Sequence, residues 1–155
     1  MERNDYLKML VEEMHSTTMA TIGADGHPQT RVIDMMLWDK KGVYFLTAKG
    51  KAFYAQLMEQ GYVAISATKD KKAVSLRGRI QNIHSEKLDE IFEKNPYMQK
   101  IYPGDTRAAL EVFRVYEAEG EYFDITRIPA VIDQHQCLHC GRCAETCPRG
   151  TIRKR

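Results

Sequence analysis

The chain has 155 residues, 23 Lys and Arg against 21 Asp and Glu, 43% hydrophobic residues and four cysteines. That length suits one ordinary domain with room for a small appendage, and it needs no disulfide staples to bury a core. A formal charge of +2 argues against a surface built mainly to bind nucleic acid, and no apolar run is long enough for a transmembrane helix. Met1 to Asp5 lack the basic-then-apolar pattern of a secretory signal, so the expected compartment is the cytoplasm.

Asp5 to His15 reads as an amphipathic helix with Leu7, Leu10, Val11 and Met14 on one face and Asn4 as its N-cap. Thr17 to Ile22 reads as a strand, followed by the turn Ala24-Asp25-Gly26-His27-Pro28. Thr30 to Trp38 is expected as the next strand, with Arg31, Ile33, Met35 and Leu37 on one face. A turn at Asp39 to Gly42 leads into the strand Val43 to Thr47. After Ala48-Lys49-Gly50 comes a helix pattern burying Phe53, Leu57 and Met58, with Gly61 as its stop.

Tyr62 to Thr68 and Ala73 to Ile83 are the following strands, the second alternating Val74, Leu76, Gly78 and Ile80 against polar residues. Lys87-Leu88-Asp89 opens a helix carrying Leu88, Ile91 and Phe92, which Asn95-Pro96 ends. Val112 to Ala118 and Glu121 to Ile125, split around Gly120, are expected as a closing hairpin. The total is six or seven strands and three helices, mostly in hairpin order. That is the pattern of a mainly β, α+β antiparallel barrel with helices at its ends.

All four cysteines fall between Cys137 and Cys147, and the 136 residues before them contain none. Cys137, Cys140, Cys143 and Cys147-Pro148 have the spacing C-x2-C-x2-C-x3-C-P, that of the bacterial ferredoxin run ligating 4Fe–4S clusters. Two-residue gaps let a tight loop present successive thiolates to one cube, and Gly141 eases the turn. Disulfides between such near neighbours would close strained, tiny rings. Structural zinc is the rival ligand, although zinc knuckles usually come in pairs a dozen or more residues apart. No second motif is present, so Cys147 closes the cluster of its own chain, or is exchanged with a second chain across a dimer, or the cluster has one non-cysteine ligand.

A quieter constellation precedes the first long helix. Arg31 lies on a strand, and Thr47 ends another, just before Ala48-Lys49-Gly50-Lys51 and the helix. Such a strand–turn–helix junction gathers backbone N–H groups and the positive end of a helix dipole around one point. Thr47 adds a hydroxyl, Lys49 and Lys51 add charge, Gly50 permits close approach, and Arg31 offers a planar fork. A phosphate monoester suits that donor set; a charged, solvated turn is the alternative. The Walker loop is absent, because Ala52 stands where Ser or Thr would hold magnesium.

The stretches Pro28-Gln29-Thr30-Arg31-Val32-Ile33 and Val43-Tyr44-Phe45-Leu46-Thr47-Ala48-Lys49-Gly50-Lys51, with Val74 to Gly78, resemble the FMN-binding split-barrel family. This is the pyridoxamine 5′-phosphate oxidase-like group, which includes nitroimidazole-resistance-type reductases. The resemblance covers about Asp5 to Ile125. It implies a split β-barrel over residues 1–126 and FMN with its phosphate on Arg31, Thr47 and Lys51 and with Leu46 nearby, to which the junction's own chemistry adds Lys49 and Gly50 as cofactor-binding residues. It also implies a homodimer with flavin at the subunit interface. Residues 127–155 are then a ferredoxin-type iron–sulfur segment. Pyridoxamine phosphate oxidases carry a C-terminal substrate-binding segment with arginine and histidine where this chain has cysteines, so the resemblance implies a reductase.

The expected function is a flavin-dependent oxidoreductase passing electrons between a 4Fe–4S cluster and FMN to reduce a small organic acceptor of nitroaromatic or quinone type. A redox protein is the expected electron donor, and no side chain stands out as a catalytic acid or base. The competing functions are an electron-transfer module without turnover of its own and a flavin-binding barrel with a structural zinc knuckle.

Overall fold

The apolar runs between the Gly- and Asp-containing turns become strands in a computed structural model of the chain, which describes residues 2–124 and 126. They are β1 (Ser16–Ile22), β2 (Pro28–Asp34), β3 (Leu37–Asp39), β4 (Gly42–Ala48), β5 (Tyr62–Lys69), β6 (Lys72–Asn82) and β7 (Leu110–Asp124). They form one seven-stranded sheet in the order β2-β1-β5-β6-β7-β4-β3. The pairs β1–β2, β1–β5, β5–β6, β4–β7 and β3–β4 are all antiparallel. Ile22 opposite Pro28 closes the first hairpin. Lys69 opposite Lys72 closes another over Asp70 and Lys71, whose φ of 50° and 65° are those of a type I′ turn. The chain divides into two units, Met1–Phe123 and Asp124–Arg155. Cys137, Cys140, Cys143 and Cys147 lie outside the described residues.

Two apolar cores form, and β4 serves both. Inside the curled sheet, Met19, Phe45, Val63 and Phe113 meet Phe53 and Leu57 of helix α2 (Ala52–Gln60). On the other face of β4, Tyr44 and Leu46 pack with Val112, with Ile91 and Phe92 of α3 (Leu88–Lys94) and with Met98 of α4 (Met98–Ile101). Gly61, left-handed at φ 63°, ends α2 as expected, its amide donating to the Leu57 carbonyl at 3.1 Å. Met58 does not join the core and is 52% exposed, because α2 turns Phe53 and Leu57 inward.

The N-terminal helix divides. Helix α1 (Arg3–Lys8) passes into a π-helical turn at Met9–Met14, marked by the His15 amide donating to the Leu10 carbonyl five residues back. The wider turn buries Met9, Leu10, Val11 and Met14 together. Glu2, not Asn4, is the N-cap, and its amide donates to the Asp5 carboxylate at 2.8 Å.

The expected strand Thr30 to Trp38 is two strands at opposite edges of the sheet. Met35 and Met36 are 0% and 7% exposed, and they enter different cores. The Met35 amide donates to the His15 carbonyl and the Met36 amide to that of Tyr44, both at 2.8 Å. Two adjacent buried side chains end the in–out alternation, and there the chain crosses from β2 to β3.

The expected closing hairpin is also absent, since β7 runs unbroken for 15 residues. Gly120 serves close approach and not a turn: a Cβ there would lie 2.2 Å from the Ser75 carbonyl oxygen of β6. Gly120→Ala should therefore cost on the order of 2 kcal/mol in urea unfolding, and an unchanged midpoint would contradict this packing.

Candidate functional site

Helix α2 begins beside the turn that the sequence singles out. Lys51 is its N-cap in extended backbone, and no side chain caps the first turn, which leaves helix N–H groups without a side-chain acceptor. Gly50 stands at φ 86° with open space where a Cβ would project. The Lys49 amide donates to the Ala109 carbonyl at 2.8 Å. Thr47 is 5% exposed, yet its hydroxyl makes no hydrogen bond among the described residues. Although the residue is nearly buried, the hydroxyl itself keeps access to solvent, so it can donate to a group that arrives at the turn. Leu46 turns its side chain into the second core and offers the turn only its backbone.

Arg31 reaches the same helix from β2. Its Nη1 donates to Thr21 Oγ1 at 2.5 Å and its Nη2 to Gln56 Oε1 at 3.2 Å. Its guanidinium carbon sits 4.3 Å from the Phe53 ring centroid. Phe53 is the second residue of α2, so the charge lies along the first turn. Partial burial lowers the Arg31 pKa from its ordinary value, and a guanidinium stays charged at neutral pH. Gln56 also accepts from Thr21 Oγ1 at 2.6 Å and donates to Gln29 Oε1 at 3.0 Å. Gln60 binds both the amide and the carbonyl of Ile22, at 2.9 and 2.6 Å. Arg31 shares no hydrogen bond with Thr47, Lys49 or Lys51; the shared element is α2.

The other flank of α2 carries a cluster that sequence reasoning missed. The β4–β7 register sets Thr47 opposite Glu111. Glu111 Oε2 accepts from Tyr54 Oη at 2.5 Å and from Asn82 Nδ2 at 2.6 Å. Its Oε1 lies 3.3 Å from His84 Nδ1 and 3.9 Å from Lys49 Nζ. The Tyr54 hydrogen bond, then that of Asn82, hold the Glu111 carboxyl down at about 2. The same bond raises the Tyr54 pKa. In sequence Glu111 is an ordinary polar position in an alternating strand, and only strand pairing reveals its partners. No group of three or more His, Cys, Asp or Glu that could hold a metal occurs among the described residues.

The donors at this turn are two ammonium groups, a guanidinium nearby, a free hydroxyl and uncapped amides. All favour an anion, and the open space over Gly50 admits one.

Residues 4–124 match the family model for pyridoxamine 5′-phosphate oxidase, and residues 129–152 match a 4Fe-4S binding domain. The chain is 24% identical over 143 residues to a pyridoxine/pyridoxamine 5′-phosphate oxidase of Gloeothece citriformis, covering 90% of this chain and 63% of that one. To the enzyme of the same description in Paracidovorax citrulli it is 28% identical over 93 residues, 59% of this chain and 41% of that one. The chain spans about half the length of the curated relatives it matches. A NimC/NimA family protein of Clostridium acetobutylicum has a similar structure, with a TM-score of 0.69 at 20% identity over 79% of this chain and 88% of that one. That likeness shows the fold: the seven strands make a split barrel.

Glu111 has a measurable consequence for stability. Its folded pKa is depressed below the ordinary 4.5 to about 2, so its contribution is complete above pH 4.5 and is lost as pH falls toward 2. After allowance for solvent screening it amounts to about 2 kcal/mol. Denaturant unfolding at pH 7 and pH 3 should show Glu111→Gln losing about that much less on acidification than the unaltered chain. Equal acid losses in the two would contradict the network.

Proposed function

The chain belongs to the pyridoxamine 5′-phosphate oxidase family, and from that membership we propose that it is a flavoprotein reductase carrying FMN in the barrel and a 4Fe–4S cluster in the C-terminal segment. The observation that carries the flavin reading is the uncapped start of α2, with open space over Gly50 and the solvent-accessible Thr47 hydroxyl at the same junction. Thr47, Lys49, Gly50 and Lys51 receive the phosphate, Arg31 adds charge along the first turn of α2, and Leu46 contributes backbone. A dianionic phosphate there gains from charge-assisted hydrogen bonds and from the positive end of the helix.

The 4Fe-4S match over residues 129–152 favours a cluster over zinc, with Cys137, Cys140, Cys143 and Cys147 as its ligands. FMN exchanges electrons singly or in pairs and the cluster exchanges them singly, so together they join one-electron supply to two-electron reduction. The chain's own residues bind and orient: Arg31, Lys49 and Lys51 neutralise phosphate charge, and the Gln56 and Gln60 contacts hold α2 against β1. The acceptor is a small nitroaromatic or quinone, and the electron donor is a redox protein in the cytoplasm.

A second copy of the chain completes the flavin site in this reading. Its support is the edge strand β2, where Val32, next to Arg31, is 71% exposed.

Lys51→Ala should raise the FMN dissociation constant about tenfold, the loss of one charge-assisted contact, as read by flavin fluorescence quenching. An unchanged constant removes the phosphate assignment. Anaerobically purified protein should hold about four irons per chain, and Cys143→Ser should lose them. Zinc without iron would overturn the cluster. Turnover of nitroaromatics or quinones with a low-potential donor separates a reductase from an electron carrier.

A further inference from the structure

We propose that Glu111 is the positioning residue of the phosphate turn: it does not meet the ligand, but holds the start of α2 and Lys49 in the arrangement that receives the phosphate of FMN. This rests on the reading of Thr47 to Lys51 as a phosphate site. The carboxylate ties together three elements that meet there. Tyr54, the third residue of α2, donates to Oε2 at 2.5 Å and so anchors the first helical turn to β7. Asn82, the last residue of β6, donates to the same oxygen at 2.6 Å. Lys49, in the turn itself, brings its ammonium to 3.9 Å from Oε1.

Each partner is itself aimed by other contacts. The Tyr54 ring packs edge-on against Phe113 at 5.8 Å, and Phe113 stacks on Phe45 at 5.5 Å, so the core points the phenol at Glu111. Asn82 Oδ1 accepts from the His84 amide at 2.8 Å, which curls the chain at His84 to φ 54° and brings the imidazole to the other carboxylate oxygen. The Glu111 side chain is 13% exposed, and all four neighbours face it from different elements.

The sign of the charge separates positioning from contact. A carboxylate repels phosphate, so direct electrostatics alone predicts that its removal tightens FMN binding. Positioning predicts the opposite, because without the carboxylate the first turn of α2 and Lys49 lose their common anchor. Gln at this place keeps its carbonyl oxygen for Tyr54 and Asn82, which share one carboxylate oxygen, but puts its N–H2 where the other oxygen met Lys49, so the ion pair becomes two donors face to face.

The test uses the full chain and titrates both FMN and riboflavin, which share the ring and ribityl chain but differ by the phosphate. Glu111→Gln should weaken FMN about tenfold while leaving riboflavin within about twofold, since only the phosphate contribution is disturbed. Tyr54→Phe should weaken FMN in the same selective way by a smaller factor. Should Glu111→Gln not fold, Tyr54→Phe decides: selective loss supports the role, and unchanged FMN binding overturns it. Unchanged or tighter FMN binding in Glu111→Gln overturns it as well, as does an equal weakening of both flavins, which marks general damage. Lys51→Ala in the same titrations separates the two levels. If it weakens FMN and Glu111→Gln does not, only the positioning role falls; if neither does, the phosphate site falls with it.

Discussion

Strand β4 is buried on both faces, and the placing of the site follows from that constraint. Val43 and Phe45 point into the barrel, while Tyr44 and Leu46 point under α3 and α4. Burying side chains of this size contributes about 1.5–3 kcal/mol each, so four of them match the whole net stability of a typical domain. A strand held so firmly cannot slide, and its register with β7 runs from Val43–Val115 to Ala48–Leu110 without a break. Thr47 and Glu111 therefore face one another as a fixed pair at the end of the sheet. Even the polar tip of Tyr44 is tied, donating to the Asp39 carboxylate at 2.9 and 3.0 Å. Burial, together with that carboxylate, pushes its pKa up to about 12 and keeps the phenol a donor.

Helix α2 inherits this rigidity through clamps of opposite charge. On one flank the Arg31 guanidinium holds Gln56; on the other the Glu111 carboxylate holds Tyr54. Between them Phe53 and Leu57 face the core, and Gln60 grips the end of β1. A helix fixed by its apolar face and both polar flanks has a fixed dipole direction. Its N-terminus carries roughly half a positive charge, which adds to Lys49, Lys51 and Arg31 and outweighs Glu111. The field at the turn is thus set before any ligand arrives, the condition under which an anion costs little reorganisation to bind.

The parts of this arrangement that sequence shows are those determined locally. Alternation in β6, the stop at Gly61 and the Thr47 to Lys51 junction all depend on neighbours within a few residues. The cysteine spacing is legible for the same reason, because the four thiols lie within eleven residues of one another in the sequence. Met35 and Met36 mislead because two adjacent apolar residues continue a strand pattern in sequence, whereas in the fold they feed separate cores. Gly120 misleads because glycine signals a turn locally, but here it answers the backbone of Ser75 and Leu76 on another strand. Glu111 carries no local signal at all. Its meaning comes from Tyr54, Asn82, His84 and Lys49, which only the sheet brings to it.

The two proposed cofactors therefore depend on different physics. The proposed flavin site would be made by the sheet: its groups come from β2, from β4 and from the turn before α2, and the cores on either side of β4 hold those elements in place. The proposed cluster rests on four cysteines within eleven residues, and where ligands lie that close in sequence metal binding itself can supply folding free energy. A preformed anion site and a metal-formed thiolate site can be filled independently, so loss of iron need not carry loss of flavin.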